Sequence, residues 1–561
     1  MNGTNQLHFS ADAARDGKLG LALSGGGFRA ALFHVGVLAQ LAEQDLLRFV
    51  AVISTVSGGS IIGAFYYLKV KQLLEGRRAD QREPSADAYR LLVRELEGEF
   101  VEAVQHNLRL ITFADGSQNA RMLGENYSST MRMADLFNTF FFKPITGTEA
   151  IRLKDLPISP VFDCFPAGAE KTSANQAFIV PKLVVNATAL NTGHLFQFTG
   201  EFVGESRVSS VIGGTSTMPI LDRLSFADKG LTLPQRARLQ AISLGDAVAA
   251  SCCVPGLLEP YTLNGLYTDA AGEAVAVRLV DGGVFDNQGL VSLYEDGCSS
   301  FISSDASDTL KWQAKPEERI HTVAMRANDI MMDRIRNELM DELHTKEADR
   351  FVVFTLGDRA RTDIFPDDAL WIDALSNIRT DLDAFTDIEA GALMYYGFAL
   401  SGDKLDGRTP GEASGWGFAA IVELAKDTIK RERLLRALQI GSHQFMKIFY
   451  LGKPLPYLIV LLPMLIPIAL SFALIYFLPP IPVSAWLILG SLAITGLAFS
   501  QNARITEKMD QVPVFRRWRK RLAIAMKPLG VTVILGMVGA GVSSITLKVF
   551  NRLFLEYGKL E

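Results

Sequence analysis

The sequence predicts an α/β domain built on a mostly parallel sheet, followed by a C-terminal transmembrane helical region. Short apolar runs alternate with segments of helical spacing, and this alternation favours a parallel sheet covered on both faces. Residues 454–503 contain no charged side chain, which predicts the membrane region. The composition agrees with both predictions, since 48% of the 561 residues are hydrophobic and only 21% are charged.

The alternation starts near the N-terminus. Residues 19–23 (LGLAL) and 49–55 (FVAVIST) are predicted as buried strands, while residues 28–42 and a segment beginning at 61–67 have helical spacing. Further strands are predicted at 182–187, 276–280, 301–304, 321–325 and 351–355. Residues 70–150 break the rhythm with a charged stretch and several phenylalanines, and they predict a helical insertion or lid.

The composition also places the domain boundaries. The predicted units are an N-terminal tail (1–17), the α/β domain (18–425), a basic helix before the membrane (426–453) and a transmembrane region (454–561). Its candidate spans are 455–478, 483–500 and 529–547, each near the roughly 20 residues that cross a bilayer. The alternative for each is a buried core helix, and it is stronger for the third, which is rich in glycine and serine.

The charges are unevenly distributed. The net charge is −5, but residues 430–561 carry +12, so the first 429 residues carry −17. Lysines and arginines concentrate in 430–453 and 504–527, and such loops stay in the cytoplasm. The α/β domain is therefore predicted to be cytoplasmic, and three spans would put residues 548–561 on the opposite face. The overall charge gives no support to nucleic-acid binding.

Other classes of protein are excluded by simple counts. Four cysteines without a C-x-x-C pair argue against a disulfide scaffold and a structural zinc site. The first twenty residues have no apolar core, so no signal peptide is predicted. The sequence leaves the oligomeric state open, and a homo-oligomer remains compatible with it.

The first chemical motif is a glycine turn between a strand and a helix, Gly25-Gly26-Gly27-Phe28-Arg29. Unshielded N–H groups at a helix N-terminus hold negative charge, either a phosphate or a developing oxyanion. Gly25, Gly27 and Ala30 also fit a dinucleotide-binding fingerprint, with Asp45 as the ribose ligand. A purely structural tight turn is the third interpretation.

The second motif places Ser57 between a strand and a helix, in the sequence TVSGGS. This is typical of a nucleophile elbow, although Thr55 occupies the first glycine position of the usual G-x-S-x-G pattern. A glycine-rich helix cap is the competing interpretation. The third motif, Asp281-Gly282-Gly283, ends an apolar strand and fits either a general base or an ordinary turn.

No histidine among the seven is in a defensible Ser-His-Asp arrangement, and His34 is predicted to be a packed or partly exposed helix residue. If no histidine serves as base, Asp281 must act directly on Ser57. A desolvated carboxylate held close to the hydroxyl has the required basicity.

In this order, the three motifs resemble those of the patatin-like phospholipase family. Residues 250–256 (ASCCVPG) and 186–188 (NAT) also look like family segments, and the resemblance covers roughly residues 18–310, with a looser match to about residue 425. It implies a three-layer α/β/α fold and a Ser57–Asp281 dyad. It further implies an oxyanion hole in the turn of Gly25, Gly26, Gly27, Phe28 and Arg29, with no metal or nucleotide cofactor.

The function expected from the residues and the resemblance is a membrane-anchored serine lipid acyl hydrolase of phospholipase or lysophospholipase type. Its substrates would be membrane glycerolipids or phospholipids, and its partner the lipid bilayer. Arg29 would either hold the oxyanion loop or meet a lipid phosphate. Two alternatives stay open: acyl transfer to another lipid through the same acyl-enzyme, and a catalytically silent membrane scaffold.

Overall fold

The computed structural model describes most of the first 451 residues and a short C-terminal stretch. The described residues are 9–122, 124, 127–165, 176–208, 221–269, 271–307, 310, 312–347, 349–359, 368–405, 415–444, 447–451, 543–544 and 546–560. The first two candidate spans lie outside them, as does the third apart from its last few residues. Within the described residues, no helix combines the length and apolar character needed to span a membrane.

One mixed sheet forms the centre of the domain, in the order β10-β9-β1-β2-β3-β4-β5-β6, and β8 adds to β3 with β7 beside it. The strands are β1 Leu19–Leu23, β2 Val50–Val56, β3 Lys182–Ala189, β4 Leu195–Phe198, β5 Phe202–Glu205, β6 Leu224–Ser225, β7 Tyr261–Thr268, β8 Ala274–Asp281, β9 Ser300–Asp305 and β10 Phe351–Thr355. The parallel arrangement predicted from the sequence is found in β10, β9, β1, β2 and β3. The remaining strands pair antiparallel.

Helices surround this sheet. The first group is α1 Ala11–Asp16, α2 Gly27–Glu43, α3 Gly58–Leu74, α4 Ala86–Val104, α5 Leu108–Phe113, α6 Gly116–Met122, α7 Ser129–Phe137 and α8 Lys143–Thr146. The second is α9 Leu233–Ala241, α10 Leu244–Ser251, α11 Gly283–Asp286, α12 Leu290–Glu295, α13 Ile320–Lys346, α14 Asp368–Ser376, α15 Asp387–Lys404, α16 Ala420–Lys426, α17 Thr428–Gly441 and α18 Arg552–Tyr557. Helices α2 and α3 are buried along nearly their whole length, which explains why their sequences are apolar on all sides.

The predicted strand at 321–325 is wrong, because these residues begin the long helix α13. Beta-branched residues made the segment look like a strand, but β10 occupies the sheet position beside β9. Strands β4 to β7 were not predicted. They lie on the antiparallel side of the sheet, where β6 has only two residues and β7 includes a bulge.

Residues 70–150 are largely helical and belong to the body of the domain. Phe137, Phe141 and Phe142 are fully buried in the main hydrophobic core. Phe141 lies against Phe28 of α2, with ring centroids 5.8 Å apart. The phenylalanine cluster therefore supports the helix that follows the glycine turn.

The C-terminal stretch lies against the same body. Phe554 in α18 is buried with Ile440 and Leu451, and the Lys447 ammonium lies 4.2 Å from the centre of its ring. The backbone N–H of Ile388 donates to the carbonyl of Gly558 at 2.9 Å. This contact corrects the expectation that residues 548–561 lie across a membrane from the α/β domain.

Candidate active site

Ser57 lies in a sharp turn between β2 and α3. Its φ of 50° and ψ of −120° lie outside the regions that side-chain-bearing residues normally adopt. Such backbone strain is typical of a nucleophile elbow, where the turn raises the hydroxyl above the sheet. The Ser57 N–H donates to the Ser251 hydroxyl at 2.8 Å, and its carbonyl accepts from Ser60 at 2.8 Å.

Thr55 is accommodated where the usual elbow has glycine. Its hydroxyl donates to the Val184 carbonyl at 3.1 Å and accepts from the Ser60 hydroxyl at 3.0 Å. Its methyl group faces Gly63 on α3, and a Cβ at Gly63 would collide with that methyl. The missing glycine at residue 55 is thus compensated by a glycine one and a half turns along the helix.

Asp281 stands at the end of β8, opposite Ala187 of β3. Its carboxylate lies beside the Ser57 side chain and accepts from the Gly283 N–H at 2.8 Å. Burial raises the pKa of Asp281 to about 6, although the neighbouring Gly283 N–H and Ser57 side chain act in the opposite direction. Ser57 and Asp281 are buried, with 7% and 6% of their surface exposed to solvent.

The glycine turn lies directly over the elbow. A Cβ at Gly25 would stand 2.3 Å from the Asn287 Oδ1 and 3.1 Å from the Ser57 Cβ, so a larger residue would force these neighbours to move. Gly26 and Gly27 have φ values of 135° and 60°. Within the described residues, the N–H groups of Gly26, Gly27 and Gly58 donate to no backbone or side-chain group. These donors lie close together, since a Cβ at Gly58 would be 2.8 Å from the Gly27 nitrogen.

Phe28 and Arg29 differ from their expected place in the oxyanion hole. The Phe28 N–H donates to the Asp381 carbonyl at 3.0 Å, and its ring is buried in the core. The buried Arg29 guanidinium donates to the carbonyls of Ser376, Ile378 and Ala306 at 3.0, 3.1 and 2.9 Å. Of the two roles open to Arg29, these contacts favour holding the loop.

A buried ionic cluster fixes the segment that holds the turn. Arg379, two residues before Asp381, forms an ion pair with Asp383 at 2.5 Å and a second one with Glu389. Lys447 approaches Asp383 from the other side at 2.6 Å. The glycine turn therefore depends on residues far along the chain, which sequence reasoning did not single out.

His34 is a structural residue in this arrangement. Its Nδ1 lies 2.6 Å from the Ser304 hydroxyl and its Nε2 3.0 Å from the Ser24 carbonyl. Burial lowers the pKa of the imidazole to about 4, so it is neutral at ordinary pH. It ties α2 to the strands that carry the glycine turn and does not contact Ser57.

The nucleotide interpretation of the glycine turn finds no support in the geometry. Asp45 lies beyond the far end of α2, about 25 Å along the helix from Gly27 at 1.5 Å per residue. Its carboxylate forms a bidentate pair with Arg48, both contacts measuring 2.7 Å.

Cys252 also lies beside Ser57. Burial raises the pKa of its thiol well above the usual value, so the thiol stays protonated.

Solved structures with a similar course of the chain include a human phospholipase and a bacterial protein. Human GIVD cytosolic phospholipase A2 in complex with methyl γ-linolenyl fluorophosphonate and terbium chloride is 15% identical, with a TM-score of 0.35, over 74% of this chain and 60% of its own. VipD from Legionella pneumophila is 12% identical, with a TM-score of 0.19, over 77% of this chain and 92% of its own. The chain thus covers less than two thirds of the phospholipase. Among curated proteins, none is similar enough to match.

A family model provides the assignment. Residues 21–294 match the patatin-like phospholipase family, and this range includes the glycine turn, the elbow and Asp281. Residues 21–294 of this chain therefore form a domain of the patatin-like phospholipase family, a family of lipid hydrolases.

Proposed function

We propose that the chain is a membrane-anchored serine acyl hydrolase of phospholipase or lysophospholipase type, with Ser57 as nucleophile and Asp281 as its base. The observation that carries this proposal is the strained Ser57 turn, whose side chain lies beside the buried Asp281 carboxylate. No histidine is needed, because a desolvated carboxylate with a pKa of about 6 is a stronger base than an exposed one.

In the proposed reaction, the Ser57 oxygen attacks the ester carbonyl of a glycerolipid while Asp281 takes the hydroxyl proton. The tetrahedral intermediate collapses when Asp281 returns that proton to the departing alcohol oxygen, which leaves the acyl group on Ser57. Asp281 then deprotonates a water molecule, which attacks the acyl-enzyme. The fatty acid is released, and the proton returns to Ser57.

The N–H groups of Gly26, Gly27 and Gly58 are the proposed oxyanion donors. The closeness of the glycine turn to Gly58 and to the Ser57 turn supports this assignment, as does the N-terminal end of α3, whose dipole favours negative charge. Phe28 and Arg29 then act indirectly. They hold the turn against residues 376–381 and leave the substrate oxygen to the glycines.

The membrane anchor is proposed from the sequence of residues 454–503. Two spans at 455–478 and 483–500 would place both basic flanks, 430–453 and 504–527, on the cytoplasmic side together with the active site. An enzyme tethered in this way meets its lipid substrate at a high effective concentration.

Mass spectrometry of lipids incubated with the purified full chain tests the proposed activity. We expect the wild type to release fatty acids from phospholipids and Ser57→Ala to release none. Transfer of the acyl group to another lipid, without free fatty acid, would identify an acyltransferase. Specific lipid binding with no turnover by the wild type would identify a scaffold.

A further inference from the structure

Helix α13 has an uncovered apolar face beside the catalytic loop. Its exposed apolar residues are spaced so that they lie on one side of the helix. They are Ile320, Val323, Ile330, Met331 and Ile335, with Ile320 86% and Met331 59% exposed. A soluble surface rarely groups so many large apolar side chains on one helix.

The opposite side of α13 lies against the candidate active site. The Met325 sulfur stands 3.6 Å from where a Cβ at Gly256 would be, and the helix also contacts α11, which directly follows Asp281. Gly256 belongs to the loop that follows Cys253. The Cys253 carbonyl accepts a hydrogen bond from the Asp281 N–H at 2.8 Å, which connects this loop to the candidate active site. The next residue in that loop, Leu257, is 70% exposed.

The C-terminal third of α13 holds the helix in place. Leu339, Met340 and Leu343 are buried in a hydrophobic cluster with strands β9 and β10. Arg336 forms an ion pair with the buried Asp305 at 2.6 Å. The helix is therefore anchored at one end, while its first two thirds carry the apolar face past the catalytic loop.

We propose that this face, together with Leu257, inserts into the lipid surface from which the enzyme takes its substrate. The inference rests on the proposed lipid hydrolysis and adds the surface that would deliver the lipid to Ser57. Moving an acyl chain through water costs about 0.8 kcal/mol per methylene, so an apolar path from the bilayer to the site lowers the barrier to loading. A protein seated on this face would instead stand between the lipid and the catalytic loop.

The charges around the face indicate the kind of lipid. Residues 312–338 contain five basic and five acidic side chains, so no net charge attracts an anionic surface. Burial of apolar side chains would then drive the insertion. We expect binding to vesicles of zwitterionic phosphatidylcholine, with little change when an anionic lipid is added.

A site-specific fluorophore tests the insertion directly. In a Cys164→Ser background, an NBD group attached through Met331→Cys or Val323→Cys would report its surroundings in the full chain reconstituted into phosphatidylcholine vesicles. Asp329→Cys, on the opposite side of the same helix, is the matched control. We expect phosphatidylcholine spin-labelled in its acyl chain to quench the fluorophore at 331 and 323 but not at 329.

Equal quenching at all three positions, or none, would overturn the proposal. Emission at 331 that is shifted to the blue without lipid quenching would mean that protein covers the face. Dependence on protein concentration would then identify a second copy, and independence a segment of the same chain. Because quenching needs no hydrolysis, this test remains decisive even if the wild type proves inactive.

An activity ratio provides the second readout. We expect the double variant Val323→Asp and Met331→Asp to lower the ratio of vesicle hydrolysis to soluble short-chain ester hydrolysis about tenfold. Asp329→Asn should leave that ratio unchanged. An unaltered ratio in the double variant would contradict the proposal. If the wild type hydrolyses neither vesicles nor the soluble ester, the proposed hydrolase activity is wrong.

Discussion

At the scale of single residues, Ser57 and Asp281 form one chemical unit. Neither supports the proposed reaction without the other, since the Ser57 hydroxyl needs a base and Asp281 needs the serine to form the acyl-enzyme. We expect Ser57→Ala and Asp281→Asn to abolish ester hydrolysis by factors of the same order. A fluorophosphonate probe should label Ser57 in the wild type. Labelling of another serine, or undiminished activity in either variant, would refute the dyad.

The pKa of Asp281 sets the pH dependence of the reaction. The base must be ionised, and burial raises its pKa to about 6, so kcat/KM should fall as the pH drops through 6. A soluble short-chain ester is the appropriate substrate, because it removes lipid packing from the measurement. An acidic limb centred near 4, where an ordinary aspartate titrates, would show that the carboxylate is not desolvated in solution.

The same residue should reduce the stability of the fold. The pKa of Asp281 is 3.8 in the unfolded chain and about 6 in the folded one. An acid with a raised pKa in the folded state lowers the free energy of unfolding as the pH rises through this interval. Asp281→Asn should therefore increase the free energy of unfolding at pH 8, by at most about 3 kcal/mol at 1.36 kcal/mol per pKa unit. The gain should vanish near pH 3. Thermal unfolding in detergent at both pH values measures it, and a destabilised variant at pH 8 would contradict this account.

At the scale of elements, the glycine turn depends on the segment between α14 and α15. Arg29 binds three buried carbonyls, and loss of each such hydrogen bond costs roughly 1–3 kcal/mol. We expect Arg29→Lys to lower kcat by the same factor for a phospholipid and for a phosphate-free acylglycerol, because the loosened turn serves both. A selective rise in KM for the phospholipid would assign Arg29 to the head group instead.

The sequence predicted the part of the site whose signals are local. Strands β1 and β2, the elbow at Ser57 and the Asp281 turn each have a pattern within a few residues, and the fold brings these patterns together. The contact of Asp381 with Phe28 joins residues that are distant along the chain, and no local pattern marks it. Ser251 lay in a segment that resembled the family, but its bond to the Ser57 N–H required the structure. The error at 321–325 has the opposite cause, since a local pattern of β-branched residues was overruled by a sheet already filled by β10.

At the scale of the whole molecule, the chain just before the first candidate span and the chain at the end of the third both contact the catalytic domain. Lys447, before the first candidate span, pairs with Asp383, and Ser544, near the end of the third, donates to the Ala114 carbonyl at 3.2 Å. Arg433 donates to the Tyr557 carbonyl at 3.0 Å. The chain therefore leaves the catalytic domain and rejoins it on the same side.

This return fixes the parity of the proposed membrane crossings. Suppose that residues 454–503 form a two-span hairpin. Phe554 of α18 can then be buried against the catalytic domain only if residues 529–547 do not add a third crossing. Single cysteines at Gly452, Ser484, Gln511 and Gly558, in a background without the native cysteines, can be tested on intact cells with a membrane-impermeant thiol reagent. We expect labelling at 484 alone, with protection at 452, 511 and 558. Labelling at 558 would mean that α18 is not docked on the catalytic domain, and labelling at 511 would reverse the orientation of the hairpin.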